Sequence, residues 1–279
     1  MELAALTQIG RLPDRLGQVR WLRPRYPLTA IEVREDAVIC TRAVRRKGRY
    51  HMGGTGRVEL PAGVFSTAMI RPQIGDLAAL REAVTEALRK AGAESVSKIS
   101  LALPDTMARA FVLDFQEVPN RQEQVAELIR WRLKKSVPFE LSEARVSWQH
   151  LGKGEDGHDQ LLIAVAPSEG LRVFEEMFTS MGITAGLIDL ASLGTVNALR
   201  VDGRFVDDDQ TDTALLSATR NYFSLVIQSR GRVVFYRAKN YHVQGGYQGE
   251  ESLRVVGREL RTSLSYYEEH LLGRGLGLV

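Results

Sequence analysis

One cysteine, Cys40, stands in 279 residues, so no disulfide can close within the chain. That suits a reducing compartment. Long apolar runs are missing too: nothing approaches the ~20 residues that a bilayer-spanning helix needs. The N-terminal stretch does not read as a signal peptide, because Arg11, Asp14, Arg15 and Arg20 interrupt it. The expectation is a cytosolic protein. Charge of one sign is also scarce, since 37 Lys and Arg against 34 Asp and Glu leave a formal +3. This is far below the basic footprint of a nucleic-acid binder. The five histidines, at 51, 150, 158, 242 and 270, are scattered, and none pairs with another ligand one helical turn away. No zinc site is implied. There is no GxSxG and no Walker A loop. Gly53, Gly54 and Gly56 do not join a strand to a helix, and no helix follows the glycines of GRGLGLV to aim amides at a phosphate. Cys40 reads as a small buried hydrophobe, and Asp207–Asp209 as a solvated loop rather than a cation site.

What is present is an ordinary apolar and charged balance, enough for one large domain or two modest ones. Residues 28–60 read as a meander, with strands at 30–34 and 37–41. Arg45-Arg46-Lys47-Gly48 is a charged turn, most simply a solvated one. Leu77, Leu80, Val84 and Leu88 mark a helix over 75–92 that Gly92 caps. Residues 99–103 alternate as a strand, and Pro104-Asp105 ends it. Strands at 110–115 and 144–151 flank a helix over 121–136, with Asn120 and Glu123 close to a capping box. Val137-Pro138-Phe139 stops that helix. Helices at 168–181 and 190–199 enclose a short strand at 183–188. An acidic, glycine-punctuated connection, 202–212, precedes strands at 214–216 and 222–227. Arg230-Gly231-Arg232 turns into a return strand at 233–238. In the helix over 251–271, Leu253, Val256, Leu260, Leu264, Tyr267 and Leu271 recur at helical spacing.

Two stretches invite a functional reading. Residues 1–27 are locally basic, with Leu6, Ile9, Leu12, Leu16 and Val19 near helical spacing. They read either as a loosely ordered tail or as an interfacial helix on anionic lipid, the second against Pro13. In the 121–136 helix, Val125, Leu128, Ile129 and Leu133 share one face, and Trp131 projects away among Glu127, Lys134 and Lys135. Arg132 falls inside the apolar arc. Either a neighbouring strand covers this flank and Arg132 snorkels, or Trp131 and its basic neighbours face a partner groove.

The strand ending in LPD, the IRW helix and the lysine-rich turn into VPF resemble the type IV pilus assembly protein PilM family. LLIAVAPSEGLRVFEEMFTSMGITAGLIDLASLGTVNAL at 161–199 resembles that family's strand-helix-strand-helix order. SLVIQSRGRVVFYRA, followed by Gly245-Gly246, resembles its second-domain hairpin and glycine turn. The resemblance implies an actin-like (ribonuclease H-like) α/β fold of two domains, related to FtsA, with an inserted small subdomain. It divides the chain into a basic tail at 1–27, a first domain at 28–200 carrying the insertion at 99–151, and a partial second domain at 201–279. The family continues past SLSYYEEHLLG into a further strand, a Gly-Gly adenosine loop and more helix, and none of that is expected here.

Actin-like proteins hold nucleotide between two hairpins of the form Asp-hydrophobe-Gly. The carboxylate organises Mg²⁺ and glycine admits the phosphate to the backbone. By resemblance the first hairpin is Glu32-Val33-Arg34-Glu35-Asp36, with Glu32 at the Asp position and Arg34 at the Gly position. The second is Ser217-Ala218-Thr219-Arg220-Asn221, with Ser217 and Thr219 at those positions. The expectation is a degenerate nucleotide site that binds ATP and Mg²⁺ weakly or not at all, with Gly245-Gly246 kept as a turn. The resemblance therefore implies a scaffold at the cytoplasmic face of an inner membrane, in a pilus or related secretion platform. Its partner is the cytoplasmic tail of a bitopic PilN-like protein, held beside the 121–136 helix by Trp131, Arg132, Lys135, Pro138 and Phe139. The alternatives are an active ATPase in which Glu32 replaces the missing Asp, and a peripheral membrane module using residues 1–25. Self-association through the small subdomain is a further expectation.

Overall fold

The computed structural model describes residues 26–47, 49–68, 71–154, 156–201, 211–219, 221–241, 250–271 and 276–277. Most of the basic tail, Arg220, Asp207–Asp209 and the Gly245-Gly246 turn lie outside them. The described elements, in chain order, are β1 (Thr29–Val33), β2 (Ala37–Arg46), β3 (Arg49–Glu59), β4 (Phe65–Ala68), β5 (Arg71–Ile74) and α1 (Leu77–Lys90). Then come β6 (Lys98–Leu103), β7 (Arg109–Phe115), α2 (Gln122–Leu133), β8 (Ala144–Lys153), β9 (Asp159–Pro167) and α3 (Ser168–Ser180). The last are β10 (Thr184–Leu190), α4 (Ala191–Val201), β11 (Asp212–Ala218), β12 (Tyr222–Ser229), β13 (Arg232–Asn240), α5 (Glu250–His270) and β14 (Leu276–Gly277).

A five-stranded sheet in the order β10-β6-β1-β2-β3 carries the main core. Its first three strands form an antiparallel meander, and β6 and β10 join in parallel through helical crossovers. Thr29, Ile31 and Val33 point from β1 into the core, where α1 and α3 supply Leu80, Val84, Leu88, Phe174 and Phe178. Asp76 caps α1 by accepting from the Ala79 N–H at 2.9 Å. Gly92, at φ +61°, ends it in the left-handed conformation, as its place in the sequence predicts.

The strand β3 was hidden in the sequence because MGGTGR shows no apolar alternation. Its glycines serve packing. A Cβ at Gly54 would lie 2.4 Å from the Ala91 carbonyl oxygen, and one at Gly56 2.2 Å from that of Ala87. Strand and helix meet there backbone to backbone.

A three-stranded sheet, β7-β9-β8, is inserted between β6 and α3. Val125, Ile129 and Leu133 of α2 pack on one of its faces against Leu161, Ile163 and Val165 of β9. Two sequence expectations are corrected here. The helix begins at Gln122 with Arg121 in the cap position and no side-chain cap, so Asn120 stands one residue too early to close a capping box. It also ends at Leu133 rather than Ser136, because the Ser136 N–H turns back to the Leu133 carbonyl at 2.8 Å. Arg132 is exposed, not folded into the apolar stripe.

Beside the two-stranded β4-β5 hairpin, the last sheet is β13-β12-β11-β14, which packs against Leu260, Leu264 and Tyr267 of α5. Leu276 and Gly277 pair in parallel with Asp212 and Thr213, so a further strand does begin where the glycine-rich sequence suggested none. Between the two larger sheets lies α4, whose Leu193, Val196 and Leu199 meet Leu215 and Val226.

Candidate functional site

Residues along β9 alternate between two surroundings. The odd-numbered Leu161, Ile163 and Val165 face α2, while Leu162, Ala164 and Ala166 face a cleft of about 830 Å³. Two open strand edges border this cleft. Among the described residues strand β8 pairs only with β9, and β10 only with β6. A third wall is α4, where Leu193, Gly194, Val196, Asn197 and Arg200 recur at helical spacing along the opening. The fourth is the β12–β13 turn of the second large sheet. Arg200 donates to the Gly231 carbonyl, and Arg232 donates to the Lys153 carbonyl at 2.9 Å. The small sheet is clamped to α3 by a two-pronged pair, both Arg145 nitrogens lying 2.6 Å from the Glu175 carboxylate. Such a cleft offers unpaired backbone groups on two sides and an apolar floor. These are the requirements for an extended peptide.

At the deep end of the cleft, Asp189 accepts from the Leu190 N–H at 2.8 Å. Burial, with a smaller push from the nearby Asp105 carboxyl, raises its pKa from 3.8 to about 6. An acid raised in the fold is stabilising below its unfolded pKa, and that contribution is lost as pH rises to the folded value. Asp189→Asn keeps the acceptor and removes the charge. Its urea midpoint should therefore draw ahead of the native protein's between pH 4 and about 6. The gap should then stay level at about 2 kcal/mol.

The two hairpins that would meet a nucleotide lie elsewhere, around the turns after β1 and β11. Burial raises the pKa of Glu32, with Arg34 opposing and Asp105 and Asp36 adding to the shift. Arg34 is held 3.2 Å from Asp36, and Arg57 3.7 Å from the same carboxylate. Glu35 accepts from both the N–H and the hydroxyl of Thr67, at 2.5 and 2.6 Å. In the second turn the Thr219 hydroxyl donates to the Tyr222 carbonyl at 2.9 Å, and its own carbonyl accepts from the Tyr241 hydroxyl. Ser217 is half-buried in β11. Tyr222 is buried beside Glu32 and Asp105. The polar side chains of both turns are thus engaged, by one another and by Arg57, Thr67 and Tyr241. Among the described residues no three His, Cys, Asp or Glu side chains are grouped to hold a metal.

Asp105, from the LPD turn, is fully buried where these elements meet. It accepts from the Ser192 N–H at 3.1 Å, the Ser192 hydroxyl at 2.7 Å and the Tyr236 hydroxyl at 2.9 Å. It joins β6, the first turn of α4 and β13. Sequence reasoning treated it only as a strand stop; LPD gives no sign that a second sheet supplies a donor.

Trp131 is 74% exposed on α2, with Arg132, Lys134 and Lys135 also exposed. Pro138 is exposed, while Phe139 is half-buried against the small sheet's core. These residues stand on the face of the small sheet opposite the cleft and do not line it. The cleft itself was not visible in the sequence.

A sequence profile described as type IV pilus assembly protein PilM matches residues 31–256. The chain belongs to the PilM family. Among solved structures, the PilM-PilN type IV pilus biogenesis complex is similar with a TM-score of 0.73 at 16% identity, over 89% of this chain and 79% of that one. At that identity the likeness to PilM is one of fold. A Bacteroides thetaiotaomicron protein with an actin-like ATPase fold and unknown function has a TM-score of 0.46 at 9% identity, over 89% of this chain and 90% of that one. The cytoplasmic domain of EpsL, an inner membrane component of the Vibrio cholerae type II secretion system, has 0.45 at 10% identity, over 76% and 70%. No curated protein matches the chain. The sheet order, the profile match and the likeness to PilM agree with the mixed α/β fold that the resemblance implied.

Proposed function

We propose that this PilM-family chain is a scaffold of a type IV pilus assembly platform that holds the cytoplasmic tail of a PilN-like membrane protein in the cleft between β8, β10 and α4. The observation that carries the reading is the cleft itself. Two open strand edges and an apolar floor match an extended tail, and a related fold is known in a complex with PilN. The chain works as two actin-like domains joined near residue 201, at the cytoplasmic face of the membrane that carries the partner. Among the described residues no helix is long and apolar enough to cross a membrane, so the partner supplies the span.

The nucleotide site is degenerate. Arg34 pairs with Asp36, Glu35 is held by Thr67 of β4, Thr219 bonds within its own turn, and Tyr222 is buried close to Glu32 and Arg34. The reaction of an ATPase is not assigned to this chain. Isothermal calorimetry tests both halves. A synthetic peptide of the partner's cytoplasmic tail should give saturable heat, and Mg-ATP at millimolar concentration should give none. Tail binding lost in Trp131→Ala but kept in Gly194→Phe would move the partner site to the exposed face of α2. Saturable Mg-ATP binding that Glu32→Ala removes would restore the ATPase.

A further inference from the structure

The β2–β3 hairpin outruns its sheet. Strand β1 pairs with β2 only as far as Thr29 and Arg42, and the Ala43 N–H makes one more bond, to Leu28, at 2.7 Å. Beyond that point β2 and β3 continue alone through four pairs, from Ala43–Met52 to Arg46–Arg49. At ~3.4 Å per residue this free ribbon extends roughly 13 Å.

Its composition is one-sided. Residues 42–52, RAVRRKGRYHM, hold five Arg and Lys and no acid, in a chain whose net charge is only +3. Arg45, Arg46 and Lys47 are exposed, and among the described residues no carboxylate pairs with them. Directly opposite residues share a face of a ribbon. Arg45 faces Tyr50, its guanidinium 5.9 Å from the ring centre, and Met52 lies two residues on along the same face. Tyr50 is 65% and Met52 76% exposed. Two large apolar side chains are thus left in water beside a group of cations, at the end of a projecting arm.

We propose that this hairpin tip is a contact site for an anionic membrane surface. Arg45, Arg46 and Lys47 meet lipid phosphates within the ~8–10 Å over which such charge acts in physiological salt. Tyr50 and Met52 enter the headgroup boundary, where an aromatic ring with a polar tip is at home. The apolar pair favours lipid over nucleic acid, since a methionine has no role in pairing with phosphate and the chain outside residues 42–52 carries a formal −2, the total of +3 less the +5 of this stretch. None of residues 42–52 lines the cleft, and the proposal does not depend on tail binding.

The test is co-sedimentation of the full chain with phosphatidylcholine vesicles, with or without phosphatidylglycerol. Binding should require phosphatidylglycerol and fade in high salt. Arg45→Glu/Arg46→Glu/Lys47→Glu should lower the partition coefficient roughly 100-fold. Tyr50→Ser/Met52→Ser, which leaves the charge alone, should lower it about tenfold. Lys134→Glu/Lys135→Glu, which reverses two exposed cations at the end of α2, should not change it, and circular dichroism should report each variant folded. Three results would overturn the proposal. One is no vesicle binding by the native chain. Another is binding that the triple reversal leaves intact and deletion of residues 1–25 removes. The third is hairpin-dependent binding of a duplex oligonucleotide with none of vesicles.

Discussion

Gly194→Phe is expected to cut affinity for the partner's tail at least ~30-fold while the protein stays fully folded. Gly194 sits on the cleft side of α4, and a Cβ built there meets nothing within 4 Å. The Cβ of a phenylalanine at this position therefore meets no neighbour, and its ring is expected to project into the cleft. The usual objection to a blocking substitution, that it works by unfolding, has little force. Glycine inside a helix costs about 1 kcal/mol relative to alanine, and phenylalanine recovers part of that. The thermal midpoint should hold or rise slightly. Gly194→Ala is the control: it adds the helix gain with almost no volume, and tail affinity should stay within about twofold. Calorimetry with the tail peptide, run beside a thermal melt, separates filling of the cleft from damage to the fold.

Asp105→Ala should be the most destabilising single change among the polar residues, by about 3 kcal/mol. The substitution leaves three buried donors without an acceptor: the Ser192 N–H, the Ser192 hydroxyl and the Tyr236 hydroxyl. It also opens a space where β6, α4 and β13 converge. Asp105→Asn keeps the accepting oxygen and should cost at most about 1 kcal/mol near pH 4. Its behaviour on raising the pH is the sharper readout. Burial raises the Asp105 pKa even though Ser192 and Tyr236 hydrogen bonds favour the charged form. The native protein then loses stability as pH rises through that raised value, and the asparagine variant does not. The gap between them should shift in favour of asparagine from pH 4 upward. A gap that does not move with pH would mean the carboxyl is not held against ionisation. Urea midpoints from pH 4 to 8 measure both effects.

Most of the framework was legible because it rests on local patterns. The stripe Leu260, Leu264 and Tyr267 in α5, the cap at Gly92 and the turn at Arg230-Gly231 each follow from residues a few positions apart. The resemblance carried by LPD, IRW and VPF led to the PilM family and its α/β fold, but the inserted sheet runs past the expected bound at 151, since its central strand is β9 (Asp159–Pro167), and β6 belongs to the main sheet. The cleft was not legible, because Ala164, Asp189, Gly194 and Arg232 come from four elements and no spacing rule joins them. The eye was drawn instead to Trp131, whose exposure is real but whose face of the small sheet is the opposite one. Strand β3 was missed for the reason that makes it useful: three glycines erase the alternation by which a strand is recognised.

Those glycines also have a mechanical consequence. Where Gly54 and Gly56 lie on α1, a Cβ on the strand would run into the Ala91 and Ala87 carbonyl oxygens of the helix, which cannot turn aside as a flexible side chain can. The base of the projecting ribbon is seated on the helix backbone, while beyond Arg42 no other described strand pairs with it. A load applied at residues 45–50 would pass down the ribbon and into α1 with little cushioning, much as a short beam transmits force to its mount. Introducing any larger residue at position 54 or 56 would loosen that mount before it altered the tip.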